Sequence, residues 1–418
     1  MRRIRGGGAR SRSDGARIVD GPGRPEKDLF IYQVYDIRTD IRPTVAEIDL
    51  SALRRNADAV RAALRDPGVG MLAVLKADAY GHGAVACARA LERKVWGFAV
   101  SLVEEGVELR RGGIEAPIVV LGCFYGLSHR DVVAYRLTPV VADAQDLGRL
   151  QRAAQELGGA RVGIHLKLDT GMSRLGVRPE RLDDFIAALR EHPGVELTGL
   201  CTHLSDADGA SAELTEEQLT RLRQCQDRLA ALGIRPGVTH VANTAAAVRY
   251  PRARFDLVRP GIGIFGVAPD YTELSPLWPV MALRTRIIAL REVPKGTGVS
   301  YGSSMRTCAP MRVATLPLGY ADGYTRRMSG RAQVLCGGRR CAVLGPITMD
   351  MTMIDVTAVP TAALGDEVVV LGSQRPPGGE PETITLSELA QWAGTIPWEI
   401  CCTISKRVPR VYVGEVRP

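Results

Sequence analysis

The chain has 418 residues, 45% of them hydrophobic and 24% charged, which is enough to bury the cores of two globular domains. Its formal charge of +8 is partly an end effect, because Arg2, Arg3, Arg5, Arg10, Arg12 and Arg17 crowd the N-terminus. The basic start is not followed by the apolar core of a signal peptide, and no apolar run reaches the length of a membrane span, so the composition points to a cytoplasmic protein with no membrane partner.

Residues 1–41 contain Gly6-Gly7-Gly8 and Gly21-Pro22-Gly23-Arg24-Pro25 but no apolar run that packs. Such a segment cannot offset its own ordering entropy, so it is expected to be a disordered basic extension, a solvated tail and not a nucleic-acid arm. From 42 to 276, short β-branched apolar runs alternate with longer helical patterns, the mark of parallel βαβ units. The predicted strands are Met71–Lys76, Gly97–Ser101, Pro117–Gly122, Leu137–Ala142, Val162–Asp169, Leu197–Leu204, Val238–Asn243 and Asp256–Ile262. Helical patterns fall between them at Leu102–Arg111, Ala144–Leu157, Arg181–Glu191 and Glu213–Leu232. Eight strands with intervening helices predict an α/β fold, a (β/α)8 TIM-type barrel, with a doubly wound sheet as the alternative.

After 276 the pattern changes. Residues 277–418 read as a mostly antiparallel β domain, with strands at Leu283–Glu292, Arg312–Leu316, Ala332–Leu335, Arg340–Leu344, Thr352–Val356 and Glu367–Leu371. One helix is expected at Leu386–Trp392, and Gln374–Pro381 reads as a loop. The 9 cysteines, mostly in apolar segments, read as reduced core residues. No His/Cys cluster has zinc spacing, so no metal is expected.

The most informative stretch runs from Met71 to Gly83: the apolar residues Met71–Leu75 end in Lys76, and Ala77-Asp78-Ala79-Tyr80-Gly81-His82-Gly83 follows. A lysine at such an exit point carries its amine where the neutral form is less costly than on a solvated face, and a neutral amine condenses with an aldehyde. Chemistry in a barrel belongs at the C-terminal ends of its strands. Lys76, Lys167, Asp169, Arg174, His203, Asn243, Thr244, Arg259, Gly261 and Ile262 all fall at or just beyond predicted strand ends. Barrels hold phosphate groups in the loops after strands seven and eight, where Thr244 supplies a hydroxyl and Gly261-Ile262 a closely approachable backbone.

Lys76, Tyr80 and the Gly81-His82-Gly83 turn resemble the signature of the alanine racemases, pyridoxal-phosphate-dependent enzymes of fold type III, and the resemblance runs from about Arg42 to the C-terminus. It implies a homodimer in which Lys76 binds pyridoxal 5′-phosphate and each subunit completes the other's active site. Tyr80, Asn243, Thr244, Gly261 and Ile262 are then phosphate-site residues. Trp398, in Thr395-Ile396-Pro397-Trp398-Glu399, stands where the family usually has a tyrosine, so an indole N–H replaces a hydroxyl. Arg259 is the residue that faces the pyridine nitrogen, where a permanent cation disfavours ring protonation.

Racemisation requires acid–base groups on both faces of one carbon. The resemblance assigns these to Lys76 and to Tyr301, the latter from the partner subunit, with His203 and Arg259 as the relay that lowers the phenol. Arg174 is expected on the cofactor phenolate and the substrate carboxylate, braced by Lys167, a lysine carbamylated in many relatives. The backbone of Met349 meets the carboxylate, and Tyr320 limits the access corridor. The implied reaction is L-alanine to D-alanine, for peptidoglycan synthesis. The alternatives are a racemase of broader scope taking serine or larger amino acids, a fold-type-III amino-acid decarboxylase, and a cofactor carrier. A decarboxylase would be expected to use a partner cysteine where this chain has Tyr301, and a carrier needs no second base.

Overall fold

A computed structural model of the chain describes residues 42–122, 124, 128–267, 274 and 276–414. The extension expected to be disordered, 1–41, lies outside the described residues.

The first strand, β1 (Val45–Asp49), leads directly into a helix at Leu50–Leu64. Asp49 caps that helix, its Oδ1 accepting from the backbone N–H of Ser51 at 2.8 Å and Ala52 at 2.9 Å. The helix buries Leu50, Leu53, Ala57, Val60 and Leu64, one stripe at helical spacing. Eight parallel strands then close a barrel: β2 (Gly70–Val74), β3 (Gly97–Val100), β4 (Ile118–Val120), β5 (Thr138–Val141), β6 (Val162–Lys167), β7 (Val195–Cys201), β8 (Val238–His240) and β9 (Leu257–Val258). β9 pairs with β2 through Gly70–Leu257 and Met71–Val258, which seals the ring. All eight sequence-predicted barrel strands are present, and the doubly wound alternative is excluded by the closure.

Side chains alternate across each strand. Leu72 and Val74 of β2 join Ala99, Val119, Val140 and Cys201 in a buried cluster inside the barrel, whereas Met71, Ala73 and Leu75 pack outward with the helices. Lys76 shares the parity of Leu72 and Val74, and Lys167 that of His165. The barrel therefore has an apolar floor, and the inward positions at its C-terminal end carry the charge.

The β domain is built from β10 (Met281–Arg286), β11 (Ala289–Val293), β12 (Gly298–Val299), β13 (Met305–Arg306), β14 (Met311–Leu316), β15 (Gln333–Cys336), β16 (Arg339–Leu344), β17 (Thr352–Asp355), β18 (Glu367–Gln374), β19 (Glu382–Ile384) and β20 (Arg410–Val413). Its main sheet has the order β11-β14-β17-β16-β15-β18-β10-β1-β20, with β19 on β18, while β12 and β13 form a separate hairpin. Every pairing in this sheet is antiparallel except β1–β20.

Two differences from the sequence reading follow. The span 42–276 is not wholly barrel, because β1 is a strand of the second sheet, hydrogen-bonded to β10 on one side and β20 on the other. The run Leu283–Glu292 is two strands and not one. It breaks at Ile287–Ile288 because β10 pairs with β18 and β1 while β11 pairs with β14. Of the described cysteines, Cys308 and Cys402 are exposed and the other six are buried, all of them free thiols.

Candidate active site

A cavity of about 620 Å³ opens at the C-terminal end of the barrel. Lys76, Tyr80, Lys167, Arg174 and His203 line one part of it. Asn243, Thr244, Arg259, Gly261 and Ile262, from the last two strand ends, line another, and Trp398 enters from the helix Pro397–Thr403. Lys76 is exposed to this space, yet desolvation by the wall, then the Arg174 and Arg259 cations, hold its ammonium below the ordinary lysine value, against the opposing influence of Cys402 and Glu105.

Lys76 leads into an unusual turn. Ala77, Asp78, Ala79 and Tyr80 have φ of 54°, 53°, 54° and 53°, a full left-handed turn made without glycine. Such a conformation costs roughly 1–2 kcal/mol per residue, so the surroundings must enforce it. Asp78 Oδ1 accepts from Ala84 N at 2.7 Å, His82 Nδ1 donates to the carbonyls of Ala79 at 2.9 Å and Tyr80 at 3.0 Å, and Arg410 Nε donates to Gly81 O at 3.0 Å. Gly81 has φ 80°, and a Cβ there would strike the carbonyl of Cys401, so the turn lies directly on the Pro397–Thr403 helix.

Arg259, only 5% exposed, is the hub of the cluster. Nη1 donates to His240 O at 2.6 Å and His240 Nδ1 at 3.0 Å; Nη2 donates to Val241 O at 2.8 Å, Thr202 O at 2.9 Å and His203 Nδ1 at 3.1 Å. None of these bonds uses Nε. Arginine only donates, so both histidines accept through Nδ1 and carry their proton on Nε2. His240 Nε2 in turn meets His165 Nδ1 at 2.8 Å. Desolvation, reinforced by Arg259, Lys167, Arg174 and Lys76, pushes His203 down to about 2, and burial alone takes His165 down to about 4. The imidazoles are neutral at any working pH, and the charge of the cluster rests on arginine and lysine.

The loops after β8 and β9 converge on one another. Asn243 Oδ1 caps the helix Thr244–Arg249 by accepting from Ala246 N at 2.9 Å, and Thr244 Oγ1 accepts from Gly261 N at 3.1 Å. A Cβ on Gly261 would lie 2.5 Å from the Tyr80 hydroxyl, so glycine there lets the tyrosine reach the loop. This junction of hydroxyls and backbone N–H groups, with no carboxylate among these residues, is chemically suited to a phosphate. Lys76 in the same cavity suits an aldehyde, and the uncommitted Nε of Arg259 suits a ring nitrogen. The residues fit pyridoxal 5′-phosphate.

Three predicted site residues are elsewhere. Tyr301, Tyr320 and Met349 are 70%, 39% and 53% exposed on the β domain and do not line the cavity of their own chain. Tyr301 starts a tight turn after Ser300, whose φ is 63° and whose hydroxyl donates to Pro346 O at 2.7 Å. The loops of Tyr320 and Met349 are joined by Tyr320 N to Thr348 O at 2.9 Å and Ala321 N to Met349 O at 3.0 Å. Sequence reasoning missed His165 and His240, and also Ser101 and Asp208, which line the cavity. The signal for His165 was present: it lies two residues before Lys167, on the same strand face.

A barrel with a lysine, a buried arginine hub and a phosphate-suited loop pair at its C-terminal rim, followed by an antiparallel β domain, places the chain in the barrel-plus-β-domain class. Residues 48–269 match the family model "Alanine racemase, N-terminal domain" and residues 280–412 match "Alanine racemase, C-terminal domain". The chain belongs to the alanine racemase family. It is 44% identical over 377 residues to alanine racemase of Sorangium cellulosum, covering 89% of this chain and 99% of that protein. Among solved structures it is similar to alanine racemase of Clostridium difficile 630, with TM-score 0.82, 36% identity and coverage of 89% and 96%. It is also similar to alanine racemase from Bacillus anthracis with bound L-Ala-P, with TM-score 0.80, 34% identity and coverage of 90% and 96%.

Proposed function

We propose that the protein interconverts L-alanine and D-alanine with pyridoxal 5′-phosphate held in the barrel cavity. The observation that carries the reading is that Lys76, Arg259 and the Thr244–Gly261 junction line one cavity. Tyr80, Asn243, Thr244, Gly261, Ile262 and the Trp398 indole N–H would hold the phosphate, and Arg259 Nε the ring nitrogen. When bound, the cofactor supplies an electron sink that acidifies the substrate Cα–H, and an arginine partner keeps that sink weak, which favours return of the proton over side reactions.

The chain's own groups then do the rest. Lys76 Nζ takes or gives the proton on one face, helped by an ammonium held below its ordinary value. Tyr301 Oη, from the β domain (277–418) of a second copy, serves the other face. His203, neutral and fixed in tautomer by Arg259, links that phenol to the cationic hub. Arg174, braced by Lys167, and the Met349 backbone N–H hold the substrate carboxylate, and Tyr320 narrows the approach. The exposure of Tyr301, Tyr320 and Met349 on one chain supports a dimer in which they face a partner's barrel. The inferred setting is the cytoplasm, with D-alanine going to peptidoglycan; among the described residues no helix is long and apolar enough to cross a membrane.

The test is direct. Purified protein incubated with pyridoxal phosphate and each L-amino acid in turn, followed by separation of enantiomers, should give D-alanine. Lys76→Ala should abolish the cofactor absorbance band; a band that survives borohydride treatment of this variant refutes the role of Lys76.

A further inference from the structure

Glu105 belongs to the helix Val103–Arg111 that follows β3, and its two carboxylate oxygens do different things. Oε2 accepts from Ser101 N at 2.7 Å and Leu102 N at 3.0 Å, an ordinary cap on its own helix. Oε1 crosses to the neighbouring strand end and accepts from Ala77 N at 2.6 Å. That second bond does nothing for the helix. Ala77 is the residue after Lys76 and the first of the left-handed turn, whose backbone would otherwise relax toward the right-handed region. On the other side of the lysine, Leu75 N donates to Ala99 O of β3 at 2.8 Å. The peptide that follows Lys76 and the residue that precedes it are thus fastened to the helix after β3 and to β3 itself.

We propose that Glu105 is a positioning residue for Lys76, fixing the peptide that follows the lysine and placing a carboxylate beside its ammonium; the inference rests on Lys76 being the cofactor lysine. The groups that bear on that ammonium are the Arg174 and Arg259 cations, which disfavour its charge, and Cys402 and Glu105, which favour it. Glu105 supplies the carboxylate of this set. It is half-buried, so it is screened less than a surface acid.

Glu105→Gln keeps the size and one acceptor oxygen but removes the charge. In cofactor-free protein, labelling with acetic anhydride across pH, read at Lys76 by mass spectrometry with Lys94 and Lys295 as internal references, should show the Lys76 midpoint lowered and the references unmoved. Hydrogen exchange at Ala77 should accelerate roughly tenfold, the scale of one lost bond to a charged acceptor. With cofactor and alanine, kcat should fall with little change in KM. An unchanged or raised Lys76 midpoint, or exchange at Ala77 no faster than in the wild type, overturns the assignment. Glu105→Ala is the second variant; if it fails to fold, Glu105→Gln decides. Wild-type protein that takes up no pyridoxal phosphate would sink the reading of Lys76 while leaving the labelling and exchange results to judge Glu105 separately.

Discussion

Arg259 holds three backbone carbonyls and two imidazoles with two terminal nitrogens, a set that only a planar fork reaches. Arg259→Lys would keep the charge but leave several of these buried acceptors without a donor, each worth about 1–3 kcal/mol. The expected outcome is a lower urea midpoint than the wild type in cofactor-free protein, independent of any catalytic defect. At this scale the sequence was informative wherever a functional group followed a strand, because position relative to a strand end is a local property. Lys76, His203, Asn243 and Arg259, which line one cavity, were placed at strand ends that way. His240 was not, because its importance comes from meeting His165 across the barrel, a contact set by closure and by the register of β6, β7 and β8.

Among the elements, the helix Leu386–Ala393 shows how local signals and structure agree. Thr385 and Glu388 form a reciprocal capping box, Glu388 N donating to Thr385 Oγ1 at 3.2 Å and Thr385 N to Glu388 Oε2 at 2.8 Å. Thr385→Ala should lower stability by about 1 kcal/mol, read as a shift in thermal midpoint without loss of cofactor uptake. The barrel strands were legible because most are short apolar runs alternating with helical patterns. β1 and β20 were not, since each is stabilised by a partner at the other end of the chain and neither has a hairpin turn to announce it. The left-handed turn was equally invisible: Ala77, Asp78, Ala79 and Tyr80 have no intrinsic preference for it, and it exists because the Pro397–Thr403 helix, Arg410 and Glu105 surround it.

For the molecule as a whole, two properties follow from how its parts combine. His82 and His165 are buried, and desolvation takes each down to about 4 from the ordinary 6.5. The native state therefore declines a proton that the unfolded chain accepts. Their stabilising effect is complete above pH about 6.5 and is lost as pH falls below it, at up to about 1.4 kcal/mol per pH unit for each ring. Thermal midpoints of the cofactor-free protein should be flat from neutral to mildly alkaline pH and drop steeply between pH about 6 and 4. The second property is assembly. If Tyr301 serves a partner's barrel, Lys76→Ala and Tyr301→Ala are each inactive alone, but a mixture unfolded and refolded together regains turnover, because a mixed dimer contains one intact site. Mixtures that stay inactive would place Tyr301 outside the site.

The position of β1 between β10 and β20 has a consequence for biogenesis. Every barrel strand lies in the span from Gly70 to Val258, so a nascent chain can complete that ring while the rest is still being made. β1 leaves the ribosome before any of it, yet must wait for Met281–Arg286 on one edge and Arg410–Val413 on the other. Until Met281–Arg286 emerges, a strand with two open edges is tethered to a finished barrel, and one edge stays open until Arg410–Val413 follows, which makes β1 a segment for a chaperone to protect.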